Sequence, residues 1–213
     1  MIKTENPWEN AYKKQGSLWA GHQHLLPVIE KGERFLETGC GNGKTAVQLC
    51  SREIICHGMD ISLSAIRMAA GACRNAEFYA GDITAIPAKD GVYDTVISFH
   101  TISHLNGSER SKAASEIYRV LRNGGRFYFR DFGTSDLRCG KGLETERNTF
   151  RKGNGISTHF FDMAEVTGLF RKFELTGQEY IRWKMRVKGH EHQREEIQAV
   201  FLKKQQNGPE ISE

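Results

Sequence analysis

The sequence predicts an α/β fold, a mostly parallel sheet with helices on both faces, and three observations carry that prediction. Apolar, β-branched runs bounded by turn residues alternate with helical patterns across residues 34–130, as in βαβ units. Three glycines, Gly39, Gly41 and Gly43, stand between the first such run and the first helical pattern. Beyond residue 173, two further strand-like runs follow each other with no long helix between them, which predicts an antiparallel pair at the sheet edge.

Taken in order, residues 34–37 read as the tail of a first strand and 44–51 as the helix after it. Residues 54–60 form a second strand, and a helix starts at Ser62, whose hydroxyl suits an N-cap, with Ile66, Ala69, Ala70 and Cys73 at helical spacing. Residues 77–80 make a short third strand and 93–99 a buried fourth. Residues 108–121 form a helix whose apolar face holds Ala113, Ala114, Ile117, Val120 and Leu121, and Asn123-Gly124-Gly125 turns into a fifth strand, 126–130. Periodicity then fails: 133–159, rich in glycine and charge, reads as a long substrate-side loop. A helix over 160–173 and strands over 174–183 and 197–203 complete a single domain, 1–203, ahead of a polar tail, 204–213, expected to fray.

With 213 residues, 38% hydrophobic and 26% charged, the chain suits one core and excludes collagen-like and low-complexity polymers. No apolar run approaches the roughly 18 residues of a membrane span, and the opening MIKTENPWEN lacks a signal-peptide stretch, so a cytoplasmic protein without membrane association is expected. Five cysteines without a C-x-x-C pair point to reduced thiols and away from a disulfide framework. The net charge of +4 is uneven: residues 1–109 carry 10 basic and 12 acidic side chains, net -2, and residues 110–213 carry 20 and 14, net +6. A basic half of this kind can face an anionic partner such as nucleic acid.

The glycine trio occurs in Glu37-Thr38-Gly39-Cys40-Gly41-Asn42-Gly43, where the backbone must turn sharply and a ligand must approach without a Cβ in the way. The spacing is G-x-G-x-G, with Lys44 where a dinucleotide fold has its third glycine, and nothing in it calls for a phosphate. Asp60 ends the second strand, where a carboxylate can accept ribose hydroxyls, and Ile61 can pack on a purine. Asp82, followed by Ile83, can accept from an exocyclic amino group, and Glu37 suits a cationic amino group.

These residues resemble the class I S-adenosylmethionine-dependent methyltransferases over roughly residues 8–203: residues 37–43 match the first motif, Asp60 the ribose acid, Asp82 the adenine contact, 93–100 the fourth-strand motif and 121–125 the turn before strand five. The resemblance implies a Rossmann-like seven-stranded sheet in the order 3-2-1-4-5-7-6 with the seventh strand antiparallel, and S-adenosyl-L-methionine as cofactor. It assigns Glu37, Gly39, Cys40, Gly41, Asp60, Ile61, Asp82, Ile83 and Phe99 to cofactor binding. Trp8-Glu9-x-x-Tyr12 and Trp19, in a cap segment over residues 1–30, resemble the part that closes over the cofactor in many members; the same aromatics can also simply cap the core.

Methyl transfer from a sulfonium needs placement of donor and acceptor, and a general base only where the acceptor must lose a proton. Phe99, His100, Arg130 and Asp131, at the ends of strands four and five, are the acceptor-side candidates, with His100, Arg130 and Asp131 as the catalytic ones. His104 is read as a tether for the helix after it. Phe129-Arg130-Asp131-Phe132-Gly133 is similar to the Arg-Asp-Tyr-Gly stretch of the tRNA 3-methylcytidine methyltransferases, and the likeness runs on through Asp136, Lys141-Gly142, residues 150–155, Phe160-Phe161 and Leu169-Phe170. That resemblance implies an RNA substrate and N3 of cytosine as acceptor, with Asp131 facing the cationic product and Arg130 holding that carboxylate or a phosphate. The family's amino-terminal RNA-contacting stretch is absent, which keeps a small metabolite, a protein side chain, or a non-catalytic subunit role open. Arg182, Lys184, Arg186 and Lys188 alternate with apolar residues, either as a cationic strand face or as a charge-protected edge. His190 and His192 flank Glu191 without further ligands, so no metal site is expected.

Overall fold

The computed structural model describes residues 6–16 and 26–204. Its elements in chain order are α1 (Pro7–Gln15), β1 (Arg34–Thr38), α2 (Lys44–Leu49), β2 (Ile55–Asp60), α3 (Leu63–Ala72), β3 (Ala76–Ala80), β4 (Tyr93–Phe99), a 3-10 turn (Ile102–His104), α4 (Gly107–Val120), β5 (Leu121–Phe132), β6 (Leu143–Glu146), β7 (Thr149–Arg151), β8 (Ser157–His159), α5 (Met163–Leu169), β9 (Glu174–Val187) and β10 (His190–Leu202). Seven strands form one sheet in the order β3-β2-β1-β4-β5-β10-β9. The first five run parallel and β10 is antiparallel to both neighbours, so the predicted order and the reversed last strand are both present.

The sheet buries both faces. On one side Leu36, Val96, Phe127, Phe129 and Phe201 pack with Ile117 and Val120 of α4, Val166 of α5, and Phe170 and Phe173 just after it. On the other Phe35, Ile97 and Phe99 pack with Ala46 of α2 and Cys73 after α3. Lys203 closes the sheet, its ammonium donating to the carbonyls of Tyr118 and Leu121 at 2.8 and 2.7 Å. Lone carbonyls at a helix end favour a cation there.

Four expectations change. The stretch 133–159 is not a structureless loop: β6, β7 and β8 form a second, antiparallel sheet. The helix predicted from residue 160 starts only at Met163, because Asp162 caps it by accepting from the Glu165 amide at 2.8 Å and Phe161 is bridged in extended form to Gly133. The last two strands are longer than predicted and form one hairpin turned at Lys188-Gly189. Cys50 and Cys56 are joined as a disulfide, against the expectation of reduced thiols; Cys40, Cys73 and Cys139 are free. Trp19 and, beyond Lys204, the expected tail lie outside the described residues.

Candidate active site

The glycine loop leaves the end of β1 in the left-handed region, with φ of 66° at Gly39, 54° at Gly41 and 78° at Gly43. A Cβ at Gly39 would strike the Thr101 side chain, and one at Gly41 would lie 2.5 Å from the Tyr12 hydroxyl, so both positions are closed to larger residues. The loop is stitched to β2: the Cys40 amide donates to the Met59 carbonyl and the Gly41 amide to Asp60 Oδ2, each at 2.9 Å. Cys40 itself is buried, and burial together with the Glu37 and Asp60 charges pushes its thiol well up, which makes it a packing residue and a poor nucleophile.

Glu37 is 4% exposed. Its carboxyl accepts from the Thr45 side chain and the Ala46 amide, yet Oε2 is buried with no partner among the described residues. Burial, with the Asp60 charge adding to it, pushes Glu37 up to about 8. An unpaired buried carboxylate oxygen is costly and calls for a donor from outside the chain; the ammonium group of S-adenosylmethionine fits it. Asp60 is also buried, with Oδ1 accepting from the Ser62 amide at 2.8 Å and Oδ2 from Gly41. The Ile61 amide donates to the same carboxylate, whose remaining acceptor capacity suits a ribose hydroxyl. Ile61 is half-buried beside it. Asp82 is exposed after β3 and holds a turn by accepting from the Thr84 amide and hydroxyl, both at 2.8 Å. The side chains of Ile83 and Phe99 are committed to the two cores, Ile83 beside Met59 and Ile86.

A cover lies over this loop. In α1, buried Tyr12 brings its hydroxyl to Gly41, and burial plus the charges of Asp60, Cys40 and Glu37 raise its phenol strongly. Glu9 clips the helix down across 53 residues of sequence: it accepts from Ser62 Oγ at 2.7 Å, Ser64 N at 3.0 Å and Ser64 Oγ at 2.8 Å. A carboxylate at the start of α3 also meets the positive end of that helix. Although burial opposes it, these bonds hold Glu9 down at about 2. Glu9→Ala is expected to release α1 and weaken S-adenosylmethionine binding about 5- to 20-fold in calorimetry, the equivalent of one or two hydrogen bonds of about 1 kcal/mol; unchanged affinity would show that the cover does not contribute. Thr45, Ser64 and Thr101 were not singled out by sequence, since none belongs to the glycine run and only the fold brings them to it.

At the ends of β4 and β5 the three catalytic candidates separate. Asp131 is fully buried and spends its oxygens on backbone amides, Ser103 at 2.8 Å and Phe132 at 3.1 Å, which fixes the 3-10 turn. Arg130, its neighbour on a pleated strand, points to the other face, where Nε donates to Gln198 Oε1 at 3.0 Å and the guanidinium lies 4.5 Å above the Phe99 ring. Of the two roles expected for Arg130, holding the Asp131 carboxylate or a phosphate, the first does not fit the Asp131 bonds, which go to backbone amides. His100 faces outward with φ of 53°, stacked on Phe132 at 4.7 Å and joined through Nε2 to Glu196 Oε1 at 2.8 Å. His104 does not tether α4: its Nδ1 meets the Ser157 carbonyl at 2.8 Å and its ring packs on Trp8 at 4.6 Å, linking β8 to the α1 cover.

The basic surplus is also redistributed. On β9, Arg182 meets Glu195 at 2.6 Å and Lys184 meets Glu191 at 3.0 Å, while Arg186 donates to the Gly189 carbonyl at 3.3 Å, so that face is partly paired within its own hairpin. On and beside the small sheet, Lys141, Arg147, Arg151 and Lys152 have no ion pair among the described residues. Arg151 and Lys152, with Gly142, Leu143, Gly153 and Gly155, line an open cavity of about 630 Å³. A Cβ on Gly155 would lie 3.6 Å from Pro7, which sets this cavity beside the α1 cover.

Residues 36–129 match the model of a methyltransferase domain. The tRNA N(3)-methylcytidine methyltransferase Mettl2 of Drosophila melanogaster is 27% identical over 190 residues, covering 80% of this chain and 58% of that protein. The demethylmenaquinone methyltransferase of Mycolicibacterium gilvum is 35% identical over 121 residues, 56% of this chain and 51% of that one. The ajmaline N-methyltransferase of Rauvolfia serpentina is 34% identical over 102 residues, 45% and 34% of the two chains. The chain thus spans only 34–58% of the length of these relatives. A solved SAM-dependent methyltransferase from Methanosarcina mazei shares the fold, with a TM-score of 0.72 at 23% identity over 85% of this chain and 99% of that one. The segment matched to the methyltransferase-domain model lies over β1 to β5 and the glycine loop between them, and the fold around it is the one seen in the solved SAM-dependent methyltransferase.

Proposed function

We propose that the protein transfers a methyl group from S-adenosylmethionine to an RNA base, with N3 of cytosine in tRNA as the first acceptor to test. The cofactor supplies an activated methyl group when bound. Glu37, Gly39, Gly41, Asp60, Ile61 and Asp82 are the residues proposed to hold it, with Tyr12 closing over it and the Cys40 and Ile83 backbones completing the wall. The observation that carries the RNA reading is the extent of the likeness: the match to Mettl2 covers 80% of the chain, while the matches to enzymes named for ajmaline and demethylmenaquinone cover 45% and 56% of it. The unpaired cations around the small sheet add support, since an RNA backbone needs such charges close to the acceptor site. A ring nitrogen with a free lone pair needs no base, which suits a site whose Asp131 is sealed inside the protein.

The test is nucleoside mass spectrometry of RNA from cells with and without the protein, together with transfer of labelled methyl groups to cell fractions. Loss of 3-methylcytidine in the deletion is the expected result, and identical nucleoside profiles would overturn the proposal. The higher identity, over shorter matches, to the enzymes named for ajmaline and demethylmenaquinone favours a metabolite as the second reading; label that survives RNase treatment and passes a small-molecule filter would support it.

A further inference from the structure

We infer that Glu196 is a positioning residue which fixes the tautomer of His100, so that Nδ1 is left as a bare acceptor that selects a base bearing an exocyclic amino group over one bearing an oxo group. The inference rests on the proposed base-methylating role.

Every freedom of the His100 ring is taken. Its backbone sits in the left-handed region and is pinned by its amide donating to the Arg130 carbonyl at 2.8 Å. Its plane is set by the Phe132 ring, inclined by only 21°, and Arg138 lies 3.8 Å from the centre of that same ring. Its in-plane rotation is set by the 2.8 Å contact of Nε2 with Glu196. A non-glycine residue held in that region is strained, and such strain persists where the surroundings dictate it.

The second ring nitrogen is different. Nδ1 has no partner among the described residues, and 28% of the side chain remains exposed. Glu196 is 13% exposed; although burial opposes it, the His100 hydrogen bond and the charges of His100, Arg130 and Arg194 draw its carboxyl below the ordinary range. An ionised carboxylate only accepts, so Nε2 must carry the proton, and in the neutral ring Nδ1 then offers a lone pair.

In methylation of cytosine at N3, the N3 lone pair forms the new bond to carbon while the carbon–sulfur bond breaks and its electrons go to sulfur. No proton leaves, and the positive charge is shared with the 4-amino group. An acceptor aimed at that amino group gains strength as charge develops. Uracil presents an oxo group there, lone pair against lone pair.

The experiment uses protein labelled with ¹⁵N-histidine at pH 8, wild type and Glu196→Gln, titrated with cytidine 5′-monophosphate and uridine 5′-monophosphate. The wild type is expected to show a protonated Nε2 and an unprotonated Nδ1 for His100, with Nδ1 shifted by the cytidine nucleotide and affected at least tenfold less by the uridine one. Glu196→Gln, whose amide can accept or donate, should populate both tautomers and reduce that preference by about fivefold or more, with far-ultraviolet circular dichroism unchanged. A protonated Nδ1 in the wild type, or an unaltered preference in a folded Glu196→Gln, overturns the inference even if 3-methylcytidine is found in RNA. The expected tautomer without any cytidine response overturns the selectivity; absence of RNA methylation with that tautomer intact would instead fault the proposed substrate.

Discussion

Glu37→Gln binds S-adenosylmethionine about 10- to 100-fold more weakly than the wild type and gives up no proton on binding. The size follows from replacing a charge-assisted hydrogen bond, worth about 1.5–3 kcal/mol, with a neutral one. The proton follows from the site itself. Without cofactor, burial keeps Glu37 up at about 8, so at pH 7 it is mostly protonated. An ammonium group set against Oε2 favours the ionised form, and close to one proton must leave as the cofactor enters. Calorimetry at pH 7 in buffers of different ionisation enthalpy reads this directly: the wild-type heat varies with the buffer and that of the variant does not. Stability moves the opposite way. A carboxyl whose folded value lies above its unfolded one of about 4.3 costs stability as pH rises from there towards about 8, because ionisation is easier in the unfolded chain. Glutamine does not ionise, so at pH 8 the cofactor-free variant melts higher than the wild type. A buffer-independent wild-type heat would show that Oε2 does not face the amino group.

This site was legible in part because its core is local. The run from Glu37 to Gly43 and the acids after β2 and β3 declare themselves by position relative to strands whose apolar runs are continuous, as buried parallel strands are. β4 is the clearest case, a seven-residue run read with its observed limits of Tyr93 and Phe99. What was not legible depends on pairs far apart in sequence. Glu9 looks like an ordinary helix surface residue until the fold sets it on Ser62 and Ser64. Glu196, one of two adjacent glutamates, gives no sign that its neighbour faces inward to Arg182 while it meets His100.

The small sheet was missed for another reason. Its strands are three or four residues long, and β6 is exposed along its whole length, so no alternation of apolar and polar residues can mark them. They are held by polar contacts instead: Thr149 Oγ1 meets His159 Nδ1 at 2.8 Å, and His159 Nε2 meets Glu165 at 2.9 Å. Asp131 shows the converse error, a residue whose motif context pointed to chemistry and whose surroundings give it a structural task. Strand alternation alone places Arg130 and Asp131 on opposite faces, which argued against their pairing from the start.

The largest loss of stability is expected at Asp136. Its side chain is wholly buried, with Oδ1 accepting from Arg138 Nε and Oδ2 from Arg194 Nε, both at 2.7 Å, and with the Arg138 and Glu195 amides at 3.0 and 3.2 Å. Burial alone would raise this carboxyl; the two guanidinium groups overcome that and hold it below the ordinary range. Asp136→Ala leaves two arginines facing each other without the carboxylate that bridges them, and Arg138 already has one buried nitrogen, Nη2, with no partner among the described residues. Removing one partner of such a group costs about 3–5 kcal/mol, a large part of the roughly 5–15 kcal/mol that holds a domain folded. Asp136→Asn keeps an acceptor and loses the charge, so its cost is smaller. Urea unfolding checks both, and a loss under about 1 kcal/mol for the alanine variant would refute the role. The pH dependence has a fixed sign: a carboxyl held low stabilises the fold above about 4 and ceases to do so as pH falls through its folded value, so the gap between wild type and Asp136→Ala should close in acid. The damage should also be local. Asp136 ties the end of β5 to the β9–β10 hairpin on the acceptor side, whereas Glu37, Asp60 and the glycine loop hang from β1 and β2, with β4 between them and β5 in the sheet order. At temperatures where Asp136→Ala remains folded, cofactor affinity should therefore stay near that of the wild type while transfer to the acceptor falls.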